Sequence, residues 1–165
     1  MAPKLVIENG RIAIYGGRLI TSCSGTLPPV PTGQMRIIYS WPPPWRDLDT
    51  CTVFLGGRVG WSSGPANEYQ IWDSGDNTGP GPETVWIRLD DAHTDGKWTD
   101  QVSIQCWAGW YAPAGGKGGC TLTVTYNGIT QRLTVPTVGS QSGSAEGTTL
   151  AATVNVSASG TFTLQ

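Results

Sequence analysis

At 165 residues the chain can bury one core, or a smaller core with long terminal additions, but it is too short for two large domains. Its composition, 38% hydrophobic and 13% charged with 23 Gly and 12 Pro, excludes a charge-rich disordered chain. Ten basic residues against twelve acidic ones leave a net charge of −2 with no Lys/Arg stripe, so a nucleic-acid surface is excluded as well.

The chain begins Met1-Ala2-Pro3-Lys4-Leu5-Val6-Ile7-Glu8, which lacks the apolar stretch and small-residue cleavage site of a signal peptide. No apolar run approaches the ~20 residues that span a bilayer, so membrane insertion is not expected. Residues 1–21 read as a β-meander arm, with Asn9-Gly10 and Gly16-Gly17 as tight turns. A two-residue loop at Asn9-Gly10 pairs Glu8 with Arg11, Ile7 with Ile12 and Leu5 with Ile14. A ribbon this small is marginal alone and needs a surface to pack on. Residues 22–34, SCSGTLPPVPTGQ, have the character of a semi-extended linker.

The body is expected over residues 35–136. Its candidate strands are MRIIYS (35–40), TCTVFL (50–55), EYQIW (68–72), TVWIRL (84–89), QVSIQCWAGW (101–110), CTLTVTY (120–126) and ITQRLTV (129–135). Short strands between Gly/Pro/Asn/Asp clusters, with no helical periodicity, predict an all-β fold, an antiparallel β-sandwich or jelly roll. Around Asn127-Gly128, Leu122 should face Leu133 and Cys120 face Val135 on a core side, with Thr121–Thr134, Thr123–Arg132 and Thr125–Thr130 on a wet side. Residues 137–165 open with the Gly/Ser-rich GSQSGSAEG and close with alternating residues, a linker followed by one or two further strands. Four widely spaced cysteines, Cys23, Cys51, Cys106 and Cys120, form no C-x-x-C pair, which argues against zinc and leaves disulfide pairing open.

No catalytic constellation emerges, and the expectation is a non-enzyme. The sole histidine, His93, sits in the loop-like LDDAHTDGKW. A glycosidase would need two carboxylates at a fixed separation, for which only Glu68 and Glu83 lie near predicted strands. Asp47 and Asp49 precede a strand, and Asp73 and Asp76 occupy a later turn. Four carboxylates converging at one end of a sandwich would suit calcium, a hard cation that takes six to eight oxygens. The competing reading is that Asp and Asn populate turns because their side chains bond the local backbone.

Asp47-Leu48-Asp49 leading into TVFLGG, then Gly79-Pro80-Gly81-Pro82-Glu83-Thr84-Val85, then Gly96-Lys97-Trp98 and a terminal hairpin, resembles bacterial extracellular β-sandwich accessory domains over roughly residues 35–135. The resemblance implies a non-catalytic module of a surface protein, with calcium at Asp47 and Asp49.

Period-two phasing makes Val85, Ile87 and Leu89 internal and turns Trp86 and Arg88 outward; it does the same for Val102, Ile104 and Cys106 against Trp107. Trp86, Trp107, Arg88 and Tyr111 are therefore the expected interface or ligand residues. Three roles compete for the rings: packing beneath another segment of the chain, anchoring a subunit interface, or stacking on sugars. The preferred expectation is a structural or assembly subunit of a phage-like particle or surface filament, located in a virion or at an extracellular surface. In that reading strand-forming terminal arms dock onto copies of the chain or other structural subunits. The alternative is a carbohydrate-binding or adhesion module with a glycan as partner.

Overall fold

Runs that alternate apolar and polar residues make strands because successive side chains leave the backbone on opposite faces. The computed structural model describes residues 4–8, 11–15, 30, 32–111 and 118–165. In chain order these hold β1 (Lys4–Glu8), β2 (Arg11–Tyr15), β3 (Gln34–Ser40), β4 (Leu48–Phe54), β5 (Gly57–Gly60), β6 (Gln70–Trp72) and β7 (Glu83–Arg88). A short helix α1 (Leu89–Thr94) precedes β8 (Gln101–Tyr111), β9 (Cys120–Tyr126), β10 (Ile129–Val135), β11 (Ser140–Gln141), β12 (Thr149–Ser157) and β13 (Phe162–Leu164).

Two sheets pack face to face, as an all-β antiparallel sandwich. The first runs in the order β10-β9-β3-β7-β6 and the second β13-β12-β8-β4-β5, with β11 added in parallel to the end of β8. Met35, Ile37, Tyr39, Val85, Ile87, Leu122 and Val124 point inward from the first sheet. They meet Leu48, Phe54, Ile104, Cys106, Trp110, Val154 and Val156 from the second. Polar bridges stitch the layers: the Tyr39 hydroxyl lies 2.7 Å from Thr52 Oγ1, and Gln70 Nε2 donates to the Thr52 carbonyl at 3.0 Å.

The β9–β10 register matches the sequence expectation pair for pair, from Tyr126–Ile129 to Cys120–Val135. So does the first hairpin, where Glu8 opposes Arg11, Ile7 opposes Ile12 and Leu5 opposes Ile14 in a separate two-stranded sheet. The Asn9-Gly10 and Gly16-Gly17 turns, the third meander strand and Cys23 lie outside the described residues.

Three expectations are corrected. Leu89 opens helix α1 instead of ending a strand, and His93 sits on that helix, exposed and stacked at 4.4 Å on Trp98. The short strand β5 was not among the expected ones, since GRVG offers a single apolar side chain. The largest change concerns residues 137–165, whose expected further strands form as β12 and β13 but belong to the second sheet of the body. β12 pairs with β8 from Thr149–Ala108 to Ser157–Gln101, and β13 pairs with β12, so the boundary at 136/137 separates no independent unit. The physical reason is that β8 would otherwise carry an open edge in mid-sheet, and Ala152, Val154 and Val156 supply the inward face that closes it. No helix among the described residues is long and apolar enough to cross a membrane.

Candidate functional site

One end of the sandwich gathers carboxylates. Asp47, Asp49 and Asp76 each present an oxygen, and these oxygens lie within 4.8 Å of one another. Asp47 precedes β4 with φ of 64°, a left-handed conformation that Asp tolerates better than most residues. Its backbone is clamped from two sides, donating to the Gly79 carbonyl at 3.4 Å and accepting from the Tyr111 N–H at 3.1 Å. Asp76 projects from the loop between β6 and β7, which Asn77 ties together: its Oδ1 accepts from the Gly79 N–H at 2.9 Å and its Nδ2 donates to the Pro82 carbonyl at 3.2 Å. Gly81 lets this loop close on the core, because a Cβ there would sit 3.0 Å from the Trp41 ring, which itself stacks edge-on against Trp110 at 6.4 Å.

Asp49 lies on the outer face of the second sheet yet is only 2% exposed. A strap formed by residues 142–148 accounts for this. Ala145 within it is fully buried, Arg58 on β5 pairs with Glu146 at 2.7 Å, and Gln141 donates from Nε2 to Asp49 Oδ2 at 2.5 Å. Gly109, opposite Asp49 on β8, makes room, since a Cβ there would lie 2.7 Å from the Gln141 side chain. A fourth carboxylate, Glu83, stands behind the three in the core, accepting from the Asn77 N–H at 3.1 Å and from the Thr50 hydroxyl.

The electrostatics follow from this burial. Desolvation pushes the Asp49 carboxyl up to about 6 and the Glu83 carboxyl up to about 8, and the neighbouring aspartates add to both shifts. Burial, then Asp76, raises Asp47 as well. Among the described residues the ion pairs are Arg58–Glu146 and Arg88–Asp91, and neither involves the cluster. Asp47, Asp49 and Asp76 line a cavity of about 210 Å³ together with Thr78, Trp61 and Tyr111. The two rings stand 6.1 Å apart, tilted by 55°.

Of the four aspartates expected to meet, Asp73 stays away. Its N–H bonds the Thr84 carbonyl, so it continues the β6–β7 ladder, and its carboxylate accepts from Trp86 Nε1 at 3.2 Å on the outer face of the first sheet. The aromatic expectations divide similarly. Trp86 does emerge on the outer face, but half-buried, with the Arg36 guanidinium 5.5 Å over its ring. Trp107 also faces outward, but it is half-buried between Cys51 and Leu150, and its buried N–H has no partner among the described residues. Arg88 is occupied by Asp91, the Glu68 carbonyl and the Tyr69 ring. Tyr111 alone of the four stands at the acidic cavity. Trp61 and Gln141 were not anticipated, one following an unexpected strand and the other hidden in a Gly/Ser-rich stretch that read as linker. Glu83 was noticed only as a candidate hydrolase acid and a motif residue, and it is 0% exposed with both oxygens bonded. Cys51, Cys106 and Cys120 are buried free thiols.

Comparison with family models, curated proteins and solved structures finds no match to this chain. The resemblance to extracellular accessory domains therefore rests on the short motifs quoted for it.

Proposed function

We propose that this protein is a non-enzymatic β-sandwich module whose loop-bearing end is organised by a calcium ion held at Asp47, Asp49 and Asp76. The observation that carries the reading is the convergence of three aspartate oxygens within 4.8 Å, none of them paired with a cationic side chain among the described residues. Like charges brought together and partly buried are costly unless a counter-charge joins them. Carboxylates from two loops and one strand suit the flexible, many-oxygen shell of calcium better than the rigid octahedron of magnesium. Bound there, the ion would join the β3–β4 loop, the β6–β7 loop and the β4 strand, fixing the surface they present.

Calorimetric titration of the chelator-treated protein with CaCl2 tests this, read beside thermal melting. Binding with a raised Tm, reversed by EGTA, is expected, the gain following RT ln(1 + [Ca]/Kd) at about 2.7 kcal/mol for a hundred-fold excess over Kd. A Tm and heat signal indifferent to calcium would refute the reading.

The role of subunit in a phage-like particle or surface filament keeps one supporting feature. β1 and β2 form a sheet of their own, joined by backbone pairing to neither layer of the sandwich, and an isolated two-stranded ribbon gains stability by packing on another surface. A particle working outside the cell would meet the calcium concentrations at which extracellular modules bind, about 10⁻⁴–10⁻³ M.

A further inference from the structure

The cavity that holds the three aspartates has a second wall of different chemistry. Trp61 is half-buried, Tyr111 is 38% exposed, and the two rings sit side by side facing the same space as Asp47, Asp49 and Asp76. Resting on the calcium reading above, we infer that this cavity binds a neutral sugar ring, with two neighbouring hydroxyls on the ion and an apolar ring face against Trp61 and Tyr111.

Three observations select that class. The first is coordination. Three aspartates, whether each gives one oxygen or some give two, leave part of the six-to-eight-oxygen shell of calcium open to other ligands. The same three residues line the cavity, so a ligand in it lies beside the ion, where a vicinal diol can replace two waters at once.

Charge is the second. Three carboxylates outweigh one divalent ion, and no Lys, Arg or His is among the described residues that line the cavity. Phosphates, uronates and other anionic ligands are therefore repelled, whereas an uncharged polyol is not. Size is the third. About 210 Å³ is below the usual range of drug-sized pockets, roughly 300–1,000 Å³, and suits one ring or the terminal unit of a longer glycan.

The test uses the full chain and three neutral probes: the methyl pyranosides of mannose, galactose and glucose. Binding is read by ligand-observed NMR in CaCl2 and again in EGTA, with methyl galacturonate as the anionic comparison. At least one neutral pyranoside is expected to bind with a Kd on the order of millimolar, about −4 kcal/mol. EGTA should abolish that binding, and galacturonate should bind more weakly than galactoside. Trp61→Ala, and independently Tyr111→Ala, should weaken the sugar about ten-fold while leaving the calcium-induced rise in Tm in place. If calcium raises the Tm but no neutral pyranoside binds, or if sugar binding survives EGTA or both ring removals, the sugar assignment is wrong and the calcium reading stands. If calcium itself does not bind, both fall.

Discussion

Gln141 and Asp49, 92 residues apart in sequence, meet through an Nε2–Oδ2 hydrogen bond of 2.5 Å at the start of the strap of residues 142–148. The same amide accepts from the Gly143 N–H with its oxygen, so one side chain ties the candidate cation ligand to the strap. Gln141→Leu is expected to destabilise the calcium-free protein by roughly 1–3 kcal/mol, since it leaves a buried carboxylate oxygen without its donor. Urea unfolding measures this. Calcium should shrink the penalty, because the ion compensates the same carboxylate, and an equal loss with and without calcium would separate the two sites.

Asp76→Asn has opposite effects in the two states. Asp76 is exposed and helps to raise the Asp47 and Glu83 carboxyls, so removing its charge should leave the calcium-free Tm unchanged or slightly higher. The calcium-induced rise should be lost or strongly reduced. Melting curves of both proteins in EGTA and in calcium check this, and an undiminished calcium response in the variant would exclude Asp76 as a ligand.

The pH dependence follows from Glu83. Its carboxyl is raised from 4.5 to about 8 by burial, so across that window the folded state holds a proton that the unfolded chain has released. The stabilisation is complete below the unfolded value and is lost as pH rises through about 8. In EGTA, stability should fall across the window with a slope approaching ~1.4 kcal/mol per pH unit. Glu83→Gln should flatten the slope, and denaturant midpoints from pH 5 to 9 measure it.

The core makes its own prediction. Trp110 is 1% exposed, stacks edge-on with Trp41 and donates from Nε1 to the Gly118 carbonyl at 3.1 Å. Trp110→Ala should cost about 3–5 kcal/mol and loosen the end of the sandwich that carries the aspartates. Weakened calcium binding in the variant is the expected second effect.

Removal of residues 1–21 should leave the sandwich folded, because neither β1 nor β2 pairs with a strand of either layer. If the hairpin is a docking arm, sedimentation should find the full chain in oligomers and the truncated chain monomeric. A truncated chain that assembles like the full one would remove the arm from the account.

Read alone, the sequence determined whatever depends on neighbours along the chain. Asn127-Gly128 fixed the β9–β10 register because a two-residue turn leaves only one pairing. Period-two alternation put Trp86 and Trp107 on outer faces, and Asp47 and Asp49 emerged as candidate ligands from their spacing and their place before a strand. Tertiary structure decided what lies across a sheet or beneath a crossing loop. It set the strands of residues 137–165 beside β8 as one side of the second sheet, sent Asp73 to Trp86, and brought Gln141, Glu83 and Trp61 to the aspartates. Alternation tells which way a side chain leaves its strand but not which strand lies alongside or which segment passes over it. Those pairings are set by burial and hydrogen bonding between residues that the sequence keeps far apart.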